Sequence, residues 1–308
     1  MRIFDAHCDV LMKLWENKGV SFKHECTELH ITMDQLQRTH AKVQCFAIFI
    51  PEYVKKDNSF QVALEMVDIF FKKVLAENRN MRLIRSKEDI HRLKDDEIGA
   101  VLTLEGGEAI QSDPVKLRTL LRLGVRSVGL TWNYANTLAD GVLEPRGAGL
   151  TSFGRKVIDE INTYKLWTDV SHLSEAGFWD VMNCARYPIA THSNVKAICD
   201  NPRNLNDEQI LELIRRDGMI GVTFVPQFLT TKRKAEIVDV LEHLDYICGL
   251  GGENQLGFGS DFDGITETVK GLSSYKEYVN LINELQKHYS EEQVEKFLYL
   301  NWFHHFPA

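Results

Sequence analysis

With 308 residues, 44% of them hydrophobic, and only seven prolines, the chain can bury a large core and carries no low-complexity tract, which excludes a disordered or fibrous protein. Its formal net charge of −8, with acidic and basic residues interspersed, argues against a nucleic-acid surface and leaves small charged or polar substrates open. Met1 leads directly into an apolar stretch and no later run approaches the roughly 18 apolar residues of a membrane span, so the expected location is the cytoplasm, with neither a membrane nor a nucleic acid as partner.

In chain order, short apolar segments bounded by turn residues alternate with longer amphipathic ones, the pattern of β/α repeats. Strands are expected at 2–5, 43–50, 99–104, 127–131, 167–170, 188–191, 220–224 and 256–259. Eight is the number that closes a barrel. Helices are expected at 60–76, 86–93, 114–123, 151–164, 174–183, 206–216 and 234–248. Ser174 with Glu175, and Asp207 with Glu208, place negative charge in first turns, where the helix dipole favours it. Two more helices, at 274–288 and 290–299, begin a tail that is expected to pack on the outside out to residue 308. No linker-like stretch divides the chain, so the expectation is an α/β fold: a single-domain (β/α)8 TIM-like barrel over 1–308. The six cysteines (Cys8, Cys26, Cys45, Cys184, Cys199 and Cys248) show no Cys-x-x-Cys spacing and read as free thiols of a reducing compartment.

A barrel of this kind carries its active site at the carboxyl ends of the strands. The reactive residues fall there. The first strand runs into His7 and Asp9, which by strand alternation point the same way, about 7 Å apart along the backbone. Cys8 between them faces the other way, into the core. The third barrel strand ends in Glu105 before Gly106 and Gly107, the fifth in Asp169-Val170-Ser171-His172, the sixth in Thr191-His192-Ser193, and the eighth in Ser260-Asp261-Phe262-Asp263-Gly264. Taken singly, such a histidine is a rim residue and either aspartate starts a turn before Gly264; together they form a register of chemistry.

Imidazoles and carboxylates without thiolates suit zinc, and also manganese, cobalt or iron. Three histidines and two carboxylates exceed what one catalytic zinc needs, but suit two divalent ions about 3.5 Å apart that share a carboxylate. Glu105 is the natural bridge, and a hydroxide held between the ions is the expected nucleophile. Arg203 follows the sixth strand; its fork matches a carboxylate, although pairing with Asp200 or Asp207 at the surface is an alternative.

The chain also resembles the membrane dipeptidase (renal dipeptidase) family, binuclear zinc peptidases on an amidohydrolase-type barrel. The likeness lies in Asp5-x-His7-x-Asp9, Leu104-Glu105-Gly106, Asp169-x-Ser171-His172, His192-Ser193 with Asn201-Pro202-Arg203-Asn204, and Gly259-Ser260-Asp261-Phe262-Asp263-Gly264. It implies two zinc ions, one held by His7 and Asp9, the other by His172 and His192, with Glu105 between them. Arg203 would grip the terminal carboxylate of a dipeptide, and Asp261, in preference to Asp263, would serve as acid and base. A homodimer is also implied. One departure stands out: the family's characterised mammalian branch reads Leu-Thr-His where this chain reads Leu130-Thr131-Trp132-Asn133. The Trp132 indole N–H or the Asn133 amide would have to supply the missing donor to substrate, and the loop 133–149 either shapes the pocket or merely connects. Alternative expectations are a related metal hydrolase of N-acyl amino acids, lactams or esters, and a metal- or peptide-binding protein without turnover.

Overall fold

The computed structural model describes residues 1–232 and 234–307; Ala308, in the expected outer tail, lies outside them. Each of the eight expected apolar segments forms a strand, joined by one more: β1 (Ile3–Asp5), β2 (Ala41–Phe49), β3 (Met81–Leu83), β4 (Ile98–Glu105), β5 (Val125–Gly129), β6 (Trp167–Asp169), β7 (Pro188–Ile189), β8 (Ile220–Val222) and β9 (Leu256–Phe258). All pair in parallel, in the order β7-β6-β5-β4-β2-β1-β9-β8. A parallel bridge between Ala190 and Ile220 joins β7 to β8 and completes the ring, giving a (β/α)8 TIM-like barrel. β3 stands outside that ring, pairing only with the first residues of β4.

The helices begin where the sequence supplies caps. Thr151, Ser174 and Asn206 accept hydrogen bonds from the backbone N–H groups of Gly154, Gly177 and Gln209. The expected helix at 60–76 is α-helical over Ser59–Ile69 and then widens to a π-helix over Phe70–Ala76. Between β1 and β2, two helices that periodicity did not mark, Val10–Glu16 and Met33–Arg38, fill the connection.

Alternation along the strands sorts two cores. Ala100, Leu102 and Leu104 of β4 join the layer under the helices, while Val101 points inward with Phe4, Val43, Cys45, Trp167, Ile189 and Met219. That inner cluster also contains Trp302 and Phe306 from the end of the chain. Trp302 stacks on Phe4 with ring centroids 6.0 Å apart and donates from Nε1 to the Phe258 carbonyl. The tail therefore does more than cover the outside: its last helix, Asn301–His305, plugs the floor of the barrel. Aromatic rings fill the floor of the barrel, and the carboxyl ends of the strands open at the opposite end, where barrels of this kind carry their sites. No helix among the described residues is long and apolar enough to cross a membrane.

Candidate metal centre

The site is assembled where β1 stops. Had the strand run on, His7 would share the outward face of Asp5; instead the Asp5 Oδ1 accepts the backbone N–H of His7 at 3.2 Å, an Asx turn that ends the strand. The same oxygen accepts the Ser260 N–H at 2.9 Å, and Tyr278 donates its hydroxyl to Oδ2. Turned this way, His7 and Asp9 point into the barrel mouth with Nε2 and Oδ2 3.4 Å apart. Cys8 faces the core, as expected, its thiol donating to the Cys45 carbonyl.

Glu105 continues the inward register of Val101 and divides its two oxygens. Oε2 lies 3.4 Å from His7 Nε2, and Oε1 lies 2.9 Å from His172 Nε2 and 3.5 Å from His192 Nε2. The His172 and His192 Nε2 atoms are themselves only 2.9 Å apart. Their outer nitrogens fix what those atoms are. His172 Nδ1 donates to Asn133 Oδ1 at 2.8 Å. The Thr191 hydroxyl donates a hydrogen bond to Asp169 Oδ2 and so accepts from His192 Nδ1 at 2.8 Å. Both rings thus present Nε2 lone pairs to the centre, the form a metal ligand needs.

Burial is the leading force on the charges here. It pushes the His172 imidazolium down to about 3, helped by the positive Arg203, and drives His192 the same way. It opposes ionisation of Glu105, but the positive charge of neighbouring His7 holds that carboxyl well below its usual range. Asp261 is raised well above it by burial and by neighbouring Asp9.

The donor set fits divalent cations. His7 Nε2 and Asp9 Oδ1 are buried without a hydrogen-bond partner, and single ligand atoms of His7, Glu105 and His192, and of His7, Asp9 and Asp261, fall within 4.8 Å of one another. Asp261 Oδ1 is 3.9 Å from His7 Nε2. Both His172 (φ 69°) and Asp261 (φ 62°) occupy the left-handed backbone region, the kind of local strain that is retained where side-chain aim matters. Gly264 is required by proximity, because a Cβ there would strike Asp9 Oδ2 and Asp261 Oδ1. Asp263 is spent elsewhere, accepting the backbone N–H groups of His30 (2.7 Å) and Ile31 (3.2 Å).

A cavity of about 330 Å³ opens above the centre, lined by Asp9, Glu105, His172 and Asp261 and walled by Trp132 and Asn133 among others. Trp132 lays its ring 5.3 Å from that of Phe49. Arg203 is buried, donates from one guanidinium nitrogen to the His192 carbonyl at 3.2 Å and lies across the Phe228 ring. It does not pair with Asp200 or Asp207, which bond to Lys196 and Tyr246. Arg203 lines a second cavity of about 250 Å³, and His172 lines both this cavity and the first. The loop 133–149 is tied internally, with Asp140 accepting from Arg146 and from the Ala148 N–H. Sequence reasoning missed Asp169 and Thr191 as holders of His192 and Asn133 as the holder of His172; the recurrence of Asp two residues before the turn, at Asp5 and Asp169, was the available signal.

The profile of the membrane dipeptidase family, peptidase family M19, matches residues 1–307. The chain belongs to that family. Its relatives include an uncharacterised Klebsiella pneumoniae protein encoded in the pqqA 5′ region, 35% identical over 72% of this chain and 86% of its own length. Dipeptidase 3 of Rattus norvegicus is 27% identical over 95% of this chain, which spans 62% of that relative's length. Among solved structures, a metallopeptidase from Rhodobacter sphaeroides, liganded with a phosphinate mimic of the dipeptide L-Ala-D-Ala, superposes with a TM-score of 0.93, covering 99% of this chain and 98% of that one at 27% identity. Membership of the M19 family makes the chain one of a family of hydrolytic metallopeptidases, and the cluster at the barrel mouth is its candidate divalent-metal site.

Proposed function

We propose that this protein is a metal-dependent dipeptidase working with two divalent ions, zinc first among them. The observation that carries the reading is the divided carboxylate of Glu105, one oxygen facing His7 and the other facing the His172–His192 pair. His7 and Asp9 would hold one ion, His172 and His192 the other, and Glu105 would serve both. When bound, the ions would polarise the scissile carbonyl and bring the pKa of a water close to neutrality.

The chain's own residues account for the rest. Asp261, at the edge of the cavity beside Asp9, takes a proton from the attacking water and passes it to the leaving amine nitrogen. Arg203 holds the free carboxylate of the substrate with a guanidinium whose Nε is buried and otherwise unpartnered. That clamp restricts the enzyme to short substrates with a free carboxyl terminus. Asn133 keeps His172 aimed, and Trp132 closes the cavity wall. Free thiols at all six cysteines accord with a reducing compartment such as the cytoplasm. The likeness to a metallopeptidase liganded with a dipeptide mimic supports the substrate class.

The test is release of free amino acids from a mixed dipeptide library by purified protein supplied with zinc, set against N-acyl amino acids, lactams and esters. Turnover of the dipeptides alone is the expected result. Turnover confined to N-acyl amino acids, lactams or esters would replace the dipeptidase reading with that of a related hydrolase; metal binding without turnover would leave a binding protein.

A further inference from the structure

The cavity over the metal centre has two unlike sides. On one side, Phe228 lies beneath the Arg203 guanidinium, 5.3 Å from the ring centroid. On the other stand Met12, Phe49 and Trp132, brought by the helix after β1, by the end of β2 and by the loop after β5. Phe49 is the cross-strand partner of Glu105, so this wall begins one strand away from the central carboxylate. All three side chains are only half-buried, although each belongs to a residue type that folding normally covers. Phe49 and Trp132 touch each other (ring centroids 5.3 Å), and Trp132 is 6.0 Å from the His172 ring. The apolar surface they leave uncovered faces the cavity beside the catalytic cluster.

An extended dipeptide spans about 7 Å. With its carboxylate at Arg203, after the sixth strand of the ring, and its scissile carbonyl near Glu105, its N-terminal residue falls toward the opposite wall. We propose that Met12, Phe49 and Trp132 form the subsite for the side chain of the substrate's N-terminal residue and select bulky apolar residues there. This rests on the dipeptidase reading and names its substrate class. Trp132, which departs from the histidine of the mammalian branch, becomes a specificity-determining residue: it exchanges a polar donor for apolar area.

The experiment compares kcat/KM for Leu-Ala, Gly-Ala and Asp-Ala, and for the mirror pair Ala-Leu and Ala-Gly, on the metal-loaded wild type, Trp132→Ala and Met12→Ala. The wild type should favour Leu-Ala over Gly-Ala by about tenfold or more, the discrimination that apolar pockets reach, and Asp-Ala should be poorest. In either variant the Leu-Ala to Gly-Ala ratio should fall by about threefold or more, while the Ala-Leu to Ala-Gly ratio holds. If Trp132→Ala does not fold, the wild-type ratios and Met12→Ala carry the test. A wild type that treats Leu-Ala and Gly-Ala alike, or variants that change only the C-terminal series, overturns the subsite and leaves the dipeptidase reading standing. Absence of hydrolysis for every dipeptide overturns both.

Discussion

Asp5 and Asp169 do the same work on two sides of the barrel. Each Oδ1 accepts the N–H two residues further on, His7 at 3.2 Å and Ser171 at 3.0 Å, and also an N–H from the neighbouring strand's end, Ser260 at 2.9 Å and Thr191 at 3.0 Å. Each carboxylate thus turns the chain out of its strand and pins the adjacent loop, so that a histidine arrives at the mouth already aimed. Asp169 goes one step further by accepting a hydrogen bond from the Thr191 hydroxyl, which sets the tautomer of His192.

From that arrangement, Asp169→Asn and Thr191→Val should each weaken metal affinity about 10- to 100-fold, the range found when a partner of a ligating histidine is lost. Thr191→Ser keeps the hydroxyl and should restore affinity. Competition with a chromogenic chelator reads the effect without recourse to turnover. Equal affinity in Thr191→Val and Thr191→Ser would show that the hydroxyl does not orient the ring.

Removal of metal should abolish dipeptide hydrolysis and lower the thermal midpoint, with zinc restoring both. Ions at a thousandfold over their dissociation constant add about 4 kcal/mol of stability. His172→Ala should lose metal content and turnover together. Full activity in a protein shown by elemental analysis to be metal-free would end the mechanism proposed above.

Arg203→Ala should cost substrates with a free carboxylate about 2 kcal/mol, roughly 30-fold in kcat/KM, the scale of a hydrogen bond to a charged group. Carboxyl-amidated dipeptides, poor for the wild type, should show little further loss. A parallel loss in both series would contradict the clamp.

His243 gives a pH dependence that is separate from the metal. It is fully buried, its Nδ1 accepts the Val195 N–H, and its Nε2 donates to the Leu229 carbonyl, so only the neutral ring fits. Burial lowers it from 6.5 to about 4. The unfolded chain therefore binds the extra proton first as pH falls: the stabilisation is complete above pH ~6.5 and is lost toward pH ~4, by about 3 kcal/mol in all. Urea midpoints of chelated protein at pH 7.5 and 4.5 should differ less in His243→Gln, whose amide meets the same two partners. An unchanged difference would remove His243 from the account.

The barrel was legible because its segments are apolar, bounded by turns and eight in number. β3 was not, since only Met81 of its three residues is buried and its pairing depends on β4 alone. Trp302 was not either, because nothing local tells an aromatic residue that plugs the barrel from one that packs a helix face. In the site, the donors were legible as strand-end side chains. The partners that hold them were not, because a hydroxyl such as that of Thr191 declares its role only when Asp169 is seen beside it.

The seat of Trp302 reaches further than the floor it fills. Its indole occupies the space that Gly257 leaves by having no side chain, directly under Phe4. β1, which leads to His7, and β9, which leads to Asp261, are thereby wedged at one foot by a single ring. Paring that ring back would act like slackening a tent peg: the two strands would drift in relative height, and the hands they hold up at the far end would no longer close on the same object.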